Sequence, residues 1–119
     1  MSTSEIATVL AWHDALAAGD LDTLEKLSSE DIEVADADGA GQGRQALRQW
    51  AASVKSSSAL GQMYVHHGVV VAELTPAGES SAQAVAFRVV QDHVTAVFRH
   101  GDLEEALAAT DLTEADRVD

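Results

Sequence analysis

The sequence has no cysteine among its 119 residues. Disulfide bonds and thiolate metal sites are therefore excluded. Histidine could still bind a metal, but the five histidines form neither an i,i+4 helical pair nor another recognised ligand spacing. They are His13, His66, His67, His93 and His100. We accordingly predict no metal site and no cofactor.

Basic residues are also scarce, since seven Lys and Arg stand against twenty Asp and Glu and give a formal net charge of -13. Nucleic-acid binding requires clustered Lys and Arg to contact phosphates, so we exclude a nucleic-acid partner. The same charge argues against binding to anionic membrane surfaces. Most of the acidic residues are spread over predicted helix faces and the C-terminal tail, which favours solubility as their role.

Long apolar runs are missing as well, because no segment approaches the ~20 apolar residues that span a bilayer. The first five residues lack the basic region and apolar core of a secretory signal. We therefore expect a cytoplasmic protein with no membrane partner. The length predicts one domain over residues 1–109, followed by an acidic tail over residues 110–119.

The beginning of the chain predicts two helices. Between residues 6 and 18, apolar side chains repeat with helical spacing and share one face with His13, while Trp12 stands at the edge of that face. Gly19 can end this helix in the left-handed conformation, and Asp20 can cap a second, short helix. The apolar positions are Ile6, Val9, Leu10, Leu16 and Ala17 in the first helix and Leu21, Leu24 and Leu27 in the second.

A short strand is predicted next, over residues 31–37. Apolar and polar residues alternate there, which places Ile32 and Val34 on the inward side of the strand. Asp36 shares their side by the same alternation. The strand therefore offers one carboxylate to the interior.

A glycine-rich segment and a third helix follow the strand. Residues 38–43 lack the GxGxxG spacing and the βαβ context of a nucleotide-binding loop, so we predict a flexible turn. From Arg44 to about residue 55, apolar residues again repeat with helical spacing, and Trp50 is one of them.

The second half of the chain changes to a period of two, which is typical of strands. The predicted strands cover residues 62–67, 69–75, 81–91 and 94–99, with a hairpin turn at residues 91–93 and a short helix over residues 101–109. Several of these strands are apolar on both faces, which indicates a sheet covered on both sides. No remaining segment of the chain is expected to cover the second face. We therefore predict a homodimer through the sheet face.

Short motifs accompany this order of elements along residues 5–108. They are Trp12 with Ala18-Gly19-Asp20-Leu21, then Asp31-Ile32-Glu33-Val34, then Gly43-Arg44-Gln45-Ala46-Leu47, then Phe87-Arg88-Val89, and finally Phe98-Arg99-His100-Gly101-Asp102-Leu103. Together they resemble the NTF2-like superfamily and, within it, the small bacterial SnoaL-like (polyketide cyclase-like) proteins. The resemblance implies an α+β cone, in which three helices from the N-terminal half pack on a curved, mainly antiparallel sheet around an apolar pocket.

The enzymes of that superfamily make different demands on the residues. Steroid-isomerase-like catalysis requires a tyrosine and a protonated acid beside a carboxylate base, but Tyr64 is the single tyrosine and no Asp lies mid-strand in residues 69–99. Epoxide-hydrolase-like members use an Asp-Arg-Asp set, and neither Arg88 nor Arg99 has an acid two residues away. The dehydratase pattern requires two tyrosines. Cyclase-like acid–base chemistry requires the fewest groups, namely a carboxylate and a histidine at one apolar cavity.

Three residues are candidate acid–base groups, namely Asp36 with His13 or His66. Each has a structural alternative: His13 can be a core histidine, Asp36 can bond the glycine-rich turn, and His66 can belong to a solvated turn. Seven residues are candidates for a pocket wall or for ordinary core: Trp12, Leu16, Trp50, Met63, Tyr64, Phe87 and Phe98. Two functions remain open, a protein that binds a small apolar molecule with or without isomerase, cyclase or hydrolase chemistry, and a non-catalytic dimeric module.

Overall fold

The computed structural model describes residues 3–36, 39–53, 59–75 and 83–118, and their fold is α+β as predicted. The helices are α1 (Thr3–Ala18), α2 (Leu21–Lys26), α3 (Arg44–Ser53) and α4 (Leu103–Thr110); the strands are β1 (Ser28–Asp36), β2 (Gly39–Gln42), β3 (Ala59–His66), β4 (Val69–Thr75), β5 (Gln83–Val90), β6 (His93–His100) and β7 (Arg117–Val118). Within these ranges, no helix is long and apolar enough to cross a membrane.

Helix α1 buries a stripe that is rotated from the predicted one. Val9, Trp12 and Leu16 are buried in the core, so Trp12 lies at the centre of the stripe and not at its edge. Leu10 is 44% exposed and Ala17 is exposed, which contradicts their predicted places on the inner face. The reason is the pitch of 3.6 residues per turn, because a stripe centred on Trp12 turns positions 10 and 17 toward solvent.

The junction between α1 and α2 is confirmed. Gly19 has a φ of 70°, in the left-handed region that glycine enters without a Cβ penalty. The Asp20 carboxylate accepts hydrogen bonds from the Thr23 hydroxyl at 2.7 Å and from the Thr23 backbone N–H at 3.2 Å. These bonds, the hydroxyl bond first, hold the pKa of Asp20 below its usual value. Leu24 of α2 is fully buried, as its spacing predicted.

The glycine-rich segment forms part of the sheet, so the predicted flexible turn is wrong for residues 39–42. They are strand β2, which pairs antiparallel with β1. A Cβ at Gly41 would lie 2.9 Å from the Cβ of Ala46 in α3, closer than packed atoms allow. Glycine is thus required at this position by the close packing of α3 on β2 and not by a turn. The end of the predicted third helix, residues 54 and 55, lies outside the described residues.

The strands form one sheet in the order β2-β1-β6-β5-β4-β3-β7. The β1–β6 pair is parallel and the other pairs are antiparallel. The β5–β6 hairpin turns at Gln91 and Asp92, both with positive φ, and His93 already pairs with Val90. The turn is therefore two residues long, one fewer than predicted, which matches the primed turns that suit twisted hairpins.

Each face of the sheet packs under a different helix. The first side, which we call the α1 face, joins α1 and α3 in a core that includes Val70, Val85 and Val97. The second side, the α4 face, packs Val71, Ala84 and Ala86 against helix α4 and Leu112. The premise that no segment of the chain covers the second face was therefore wrong. A short helix with apolar Leu103, Ala106 and Leu107 covers much of it, and the homodimer stays a prediction.

The segment after α4 continues in the fold. Asp111 ends the helix in the left-handed conformation, and Leu112 turns back so that its backbone N–H donates to Leu107 at 3.1 Å. Leu112 is 5% exposed. Strand β7 then pairs with the edge of β3. The residues of the predicted acidic tail thus contribute one core side chain and one edge strand.

Candidate functional site

An aromatic cluster lies between α1, α3 and the α1 face of the sheet. The Trp12 ring lies 5.6 Å from Phe87, edge to face, and 6.0 Å from Trp50, centroid to centroid. Trp12 and Phe87 are buried, whereas Trp50 is half-buried at the border of the core. Part of the Trp50 side chain is therefore accessible to solvent beside the buried Trp12.

Trp12 is held in place by a buried hydrogen-bond relay. Its indole Nε1 donates to the Ser28 hydroxyl at 2.9 Å, and that hydroxyl donates to the Leu24 carbonyl at 2.7 Å. The relay satisfies the buried indole N–H and also one of the carbonyls at the end of α2. The base of the cluster is consequently fixed by α1, α2 and β1 together.

Arg99 brings a permanent positive charge to this cluster. It lies two residues after buried Val97 in β6, so alternation places it on the α1 face. The guanidinium carbon lies 5.6 Å from the Trp50 ring centroid, within the range of a cation–π contact. Arg99 is half-buried. Arg99 was not among the residues predicted to line the pocket, although its spacing from Val97 would have indicated it.

Of the three acid–base candidates, His13 lies on helix α1, and the backbone of Asp36 lies at the end of strand β1. His13 is half-buried on α1, next to Trp12. Asp36 ends β1, and because Ala35 pairs with Phe98, the backbone of Asp36 is next in register to that of Arg99. The Asp36 side chain lies outside the described residues.

His66 lies on the other side of the sheet. It follows Val65, which belongs to the core of the α1 face, so it points to the α4 face. Its Nδ1 lies 3.3 Å from the Asp116 carboxylate, and its ring contacts that of His67 at 3.9 Å between centroids. The structure therefore separates His66 from His13, and the three candidates do not converge.

The predicted pocket wall is divided in the same way. Leu16 belongs to the core of the α1 face, and Met63 packs against that core. Tyr64 packs under α4, and Phe98 lies in the pockets of the α4 face, so both belong to the other side. The physical reason is strand alternation, since neighbouring residues such as Met63 and Tyr64 cannot share a face.

Two open pockets lie on the α4 face, beside the part that helix α4 covers. The first, about 350 Å³, is lined by Asp31, Glu33, Arg88, Thr95, Ala96 and Phe98. The second, about 300 Å³, shares Arg88 and Phe98 and reaches Asp111 after α4. In the ranges that the structure describes, no group of three or more histidine, aspartate and glutamate side chains is arranged to hold a metal ion.

One of the comparisons with known proteins identifies a family for most of the chain. The SnoaL-like domain family matches residues 9–105. None of the curated proteins compared with the chain matches it.

Solved structures share the fold at low sequence identity. An NTF2-like protein of unknown function from Cytophaga hutchinsonii superposes with a TM-score of 0.68 at 13% identity, covering 87% of this chain and 94% of that chain. A proposed polyketide cyclase from Sinorhizobium meliloti has a TM-score of 0.66 at 17% identity, covering 79% and 94%. A proposed ketosteroid isomerase from Kribbella flavida has a TM-score of 0.64 at 17% identity, covering 82% and 76%. With the family match over most of its length, the chain belongs to the SnoaL-like domain family and has the NTF2-like fold.

Proposed function

We propose that the protein binds a small, largely apolar organic molecule at the border of the core of the α1 face, against the accessible part of Trp50. The observation that carries this proposal is the Arg99 guanidinium placed over the half-buried Trp50 ring. An indole provides apolar contact area, and a guanidinium donates hydrogen bonds to carbonyl or carboxylate oxygens. A ligand with an apolar body and one such oxygen matches both groups.

Similar folds support a ligand of this kind. The proteins from Sinorhizobium meliloti and Kribbella flavida are a proposed polyketide cyclase and a proposed ketosteroid isomerase. Both substrates are apolar molecules that carry oxygen atoms. This likeness is one of fold, so it suggests the type of ligand and leaves its identity to experiment.

If the bound molecule reacts, its acid–base catalysts come from helix α1 and strand β1. We propose His13 and Asp36 as the acid–base candidates, since His66 lies on the other side of the sheet and pairs with Asp116. Acid–base catalysis requires both groups within hydrogen-bond reach of the same substrate. Binding without catalysis is the alternative, and it requires only Trp50 and Arg99.

A ligand screen followed by one pair of variants tests the proposal. Thermal shifts with steroids, aromatic polyketides, terpenoids and fatty acids identify a ligand, because a molecule at about 100 times its Kd adds about 2.7 kcal/mol of stability. The Kd of this ligand is then measured by tryptophan fluorescence. The variant Trp50→Phe shows whether the fluorescence change on binding comes from Trp50 or from Trp12. Loss of a hydrogen bond to a charged group costs about 1.5–3 kcal/mol, so Arg99→Gln should raise the Kd by about 10–100-fold.

The matched control is Arg88→Gln, which removes an exposed arginine from the opposite face of the same sheet. This variant should leave the Kd within about twofold, because the Arg88 side chain lies on the α4 face, away from Trp50 and Arg99. No binding in the whole screen, or an equal loss of affinity in both variants, would refute the proposed site.

A further inference from the structure

The border of the α1 face carries a second polar side chain next to Arg99. Gln83 is the first residue of β5, two positions before Val85, which belongs to the core of the α1 face. Side chains alternate along a strand, so Gln83 lies on that same face. Gln83 is half-buried, as Arg99 and Trp50 are. The border of this core therefore combines an amide, a guanidinium and an indole.

The register of the sheet places the amide within reach of the guanidinium. Val85 pairs with Arg99 across β5 and β6, so Gln83 is a diagonal neighbour of Arg99. Diagonal neighbours on one face lie about 7–8 Å apart, a separation that two long side chains can bridge. The N–H groups of Gln83 and Arg99 can consequently donate to one acceptor group of a ligand.

Building on the ligand site proposed above, we propose that its ligand is a carboxylic acid, bound as the carboxylate by Arg99 and Gln83 with its apolar body against Trp50. A guanidinium has five N–H donors in one plane, so it can lie over an indole and still donate from its edge. Two parallel N–H groups at that edge match the two oxygens of a carboxylate. The Gln83 amide supplies a further donor.

Charge favours a carboxylate over the neutral oxygen of a ketone or an ester. Hydrogen bonds between ionised groups are about twice as strong as those between neutral groups. The nearest neighbours of Arg99 on the α1 face are apolar, namely Val85 opposite and Val97 two residues before, and a low local dielectric strengthens the attraction. The net charge of -13 opposes an anion, but exposed charges more than about 8 Å away are largely screened at physiological ionic strength.

Matched acids and amides test the class of ligand. The probes are 1-naphthylacetic acid with 1-naphthylacetamide, and octanoic acid with octanamide. The members of a pair share an apolar body and differ in the charge of the head group. In isothermal titration calorimetry at pH 7, the acids should bind about 10-fold or more tightly than their amides, because only the acids form charge-assisted hydrogen bonds with Arg99.

Two variants of Gln83 locate the head group. Gln83→Glu places a negative charge next to the bound carboxylate and should weaken the acids by about 10-fold or more, while each amide keeps its Kd within about twofold. Gln83→Met keeps the length of the side chain without its donor and should weaken the acids by about 10-fold. Circular dichroism establishes that each variant is folded.

Gln45→Glu is the matched control, since it makes the same change in net charge at an exposed position of α3 and should leave every Kd within about twofold. Equal affinities for acids and amides, or equal losses for both in Gln83→Glu, would overturn the carboxylate class and leave the site at Trp50 in place. The same holds if neutral molecules of the screen bind and neither acid does. If no acid and no neutral molecule binds, the site itself is refuted.

Discussion

Replacing Ser28 by alanine should destabilise the protein far more than the loss of one exposed hydroxyl would suggest. The Ser28 hydroxyl is fully buried and stands between the Trp12 indole N–H and the Leu24 carbonyl. Without it, the indole N–H has no acceptor in a dry core, at a cost of about 1–3 kcal/mol. The bond to Leu24 is lost as well, at about 0.5–1.5 kcal/mol. We expect a total loss of about 2–4 kcal/mol in the free energy of unfolding.

The adjacent serine provides the matched control. Ser29 also has a buried hydroxyl, but that oxygen has no hydrogen-bond partner within the described ranges. Ser29→Ala should therefore keep the free energy of unfolding within about 0.5 kcal/mol, or raise it, because an unpaired polar atom leaves the interior. Urea unfolding followed by far-UV circular dichroism measures both variants.

A double-mutant cycle separates the relay from general packing. In a Trp12→Phe background no indole N–H is left to satisfy, so Ser28→Ala should cost about 1–2 kcal/mol less than in the natural chain. Equal costs for Ser28→Ala in both backgrounds, or equal effects of Ser28→Ala and Ser29→Ala, would refute the argument that the relay stabilises the aromatic cluster.

Two further predictions concern the segment after α4 and the cap of α2. Leu112→Ala should lower the free energy of unfolding by about 2–4 kcal/mol, because this residue is 5% exposed under α4. The control Leu10→Ala, at a position that is 44% exposed, should lower it by under about 1 kcal/mol. Similar urea midpoints for the two variants would show that the C-terminal segment does not pack on the domain. The pKa of Asp20 is lowered by Thr23 in the folded state, so its ionised form stabilises the protein above the unfolded pKa and this stabilisation is lost as pH falls through the folded pKa. The stability difference between the natural chain and Asp20→Ser, which caps without titrating, should therefore change below about pH 4 in urea titrations and stay constant above it; a difference independent of pH would contradict this role.

Local patterns predicted most of the helices and strands. The cap at Asp20, the left-handed Gly19 and the bounds of β4 (Val69–Thr75) follow from a few neighbouring residues, and the structure confirms them. The buried face of α1 was predicted wrongly because Trp12 lies at its centre, where it packs against Phe87 of β5 and Trp50 of α3. Those contacts are distant in sequence. Of the predicted site residues, Trp12, Trp50 and Phe87 lie in one cluster, whereas His66 lies on the other side of the sheet, and the role of these residues as a site stays a prediction.

The sequence by itself determined where most of the helices and strands form, because capping, glycine conformation and the spacing of apolar residues act within a few positions along the chain. The tertiary structure alone decided that Gly41 belongs to a strand, that α4 covers part of the second face, and that Glu33 and Arg88 stand in one row. These features depend on which distant strands pair and in which register. A shift of one residue turns every side chain to the other face, so only the complete packing of the domain fixes them.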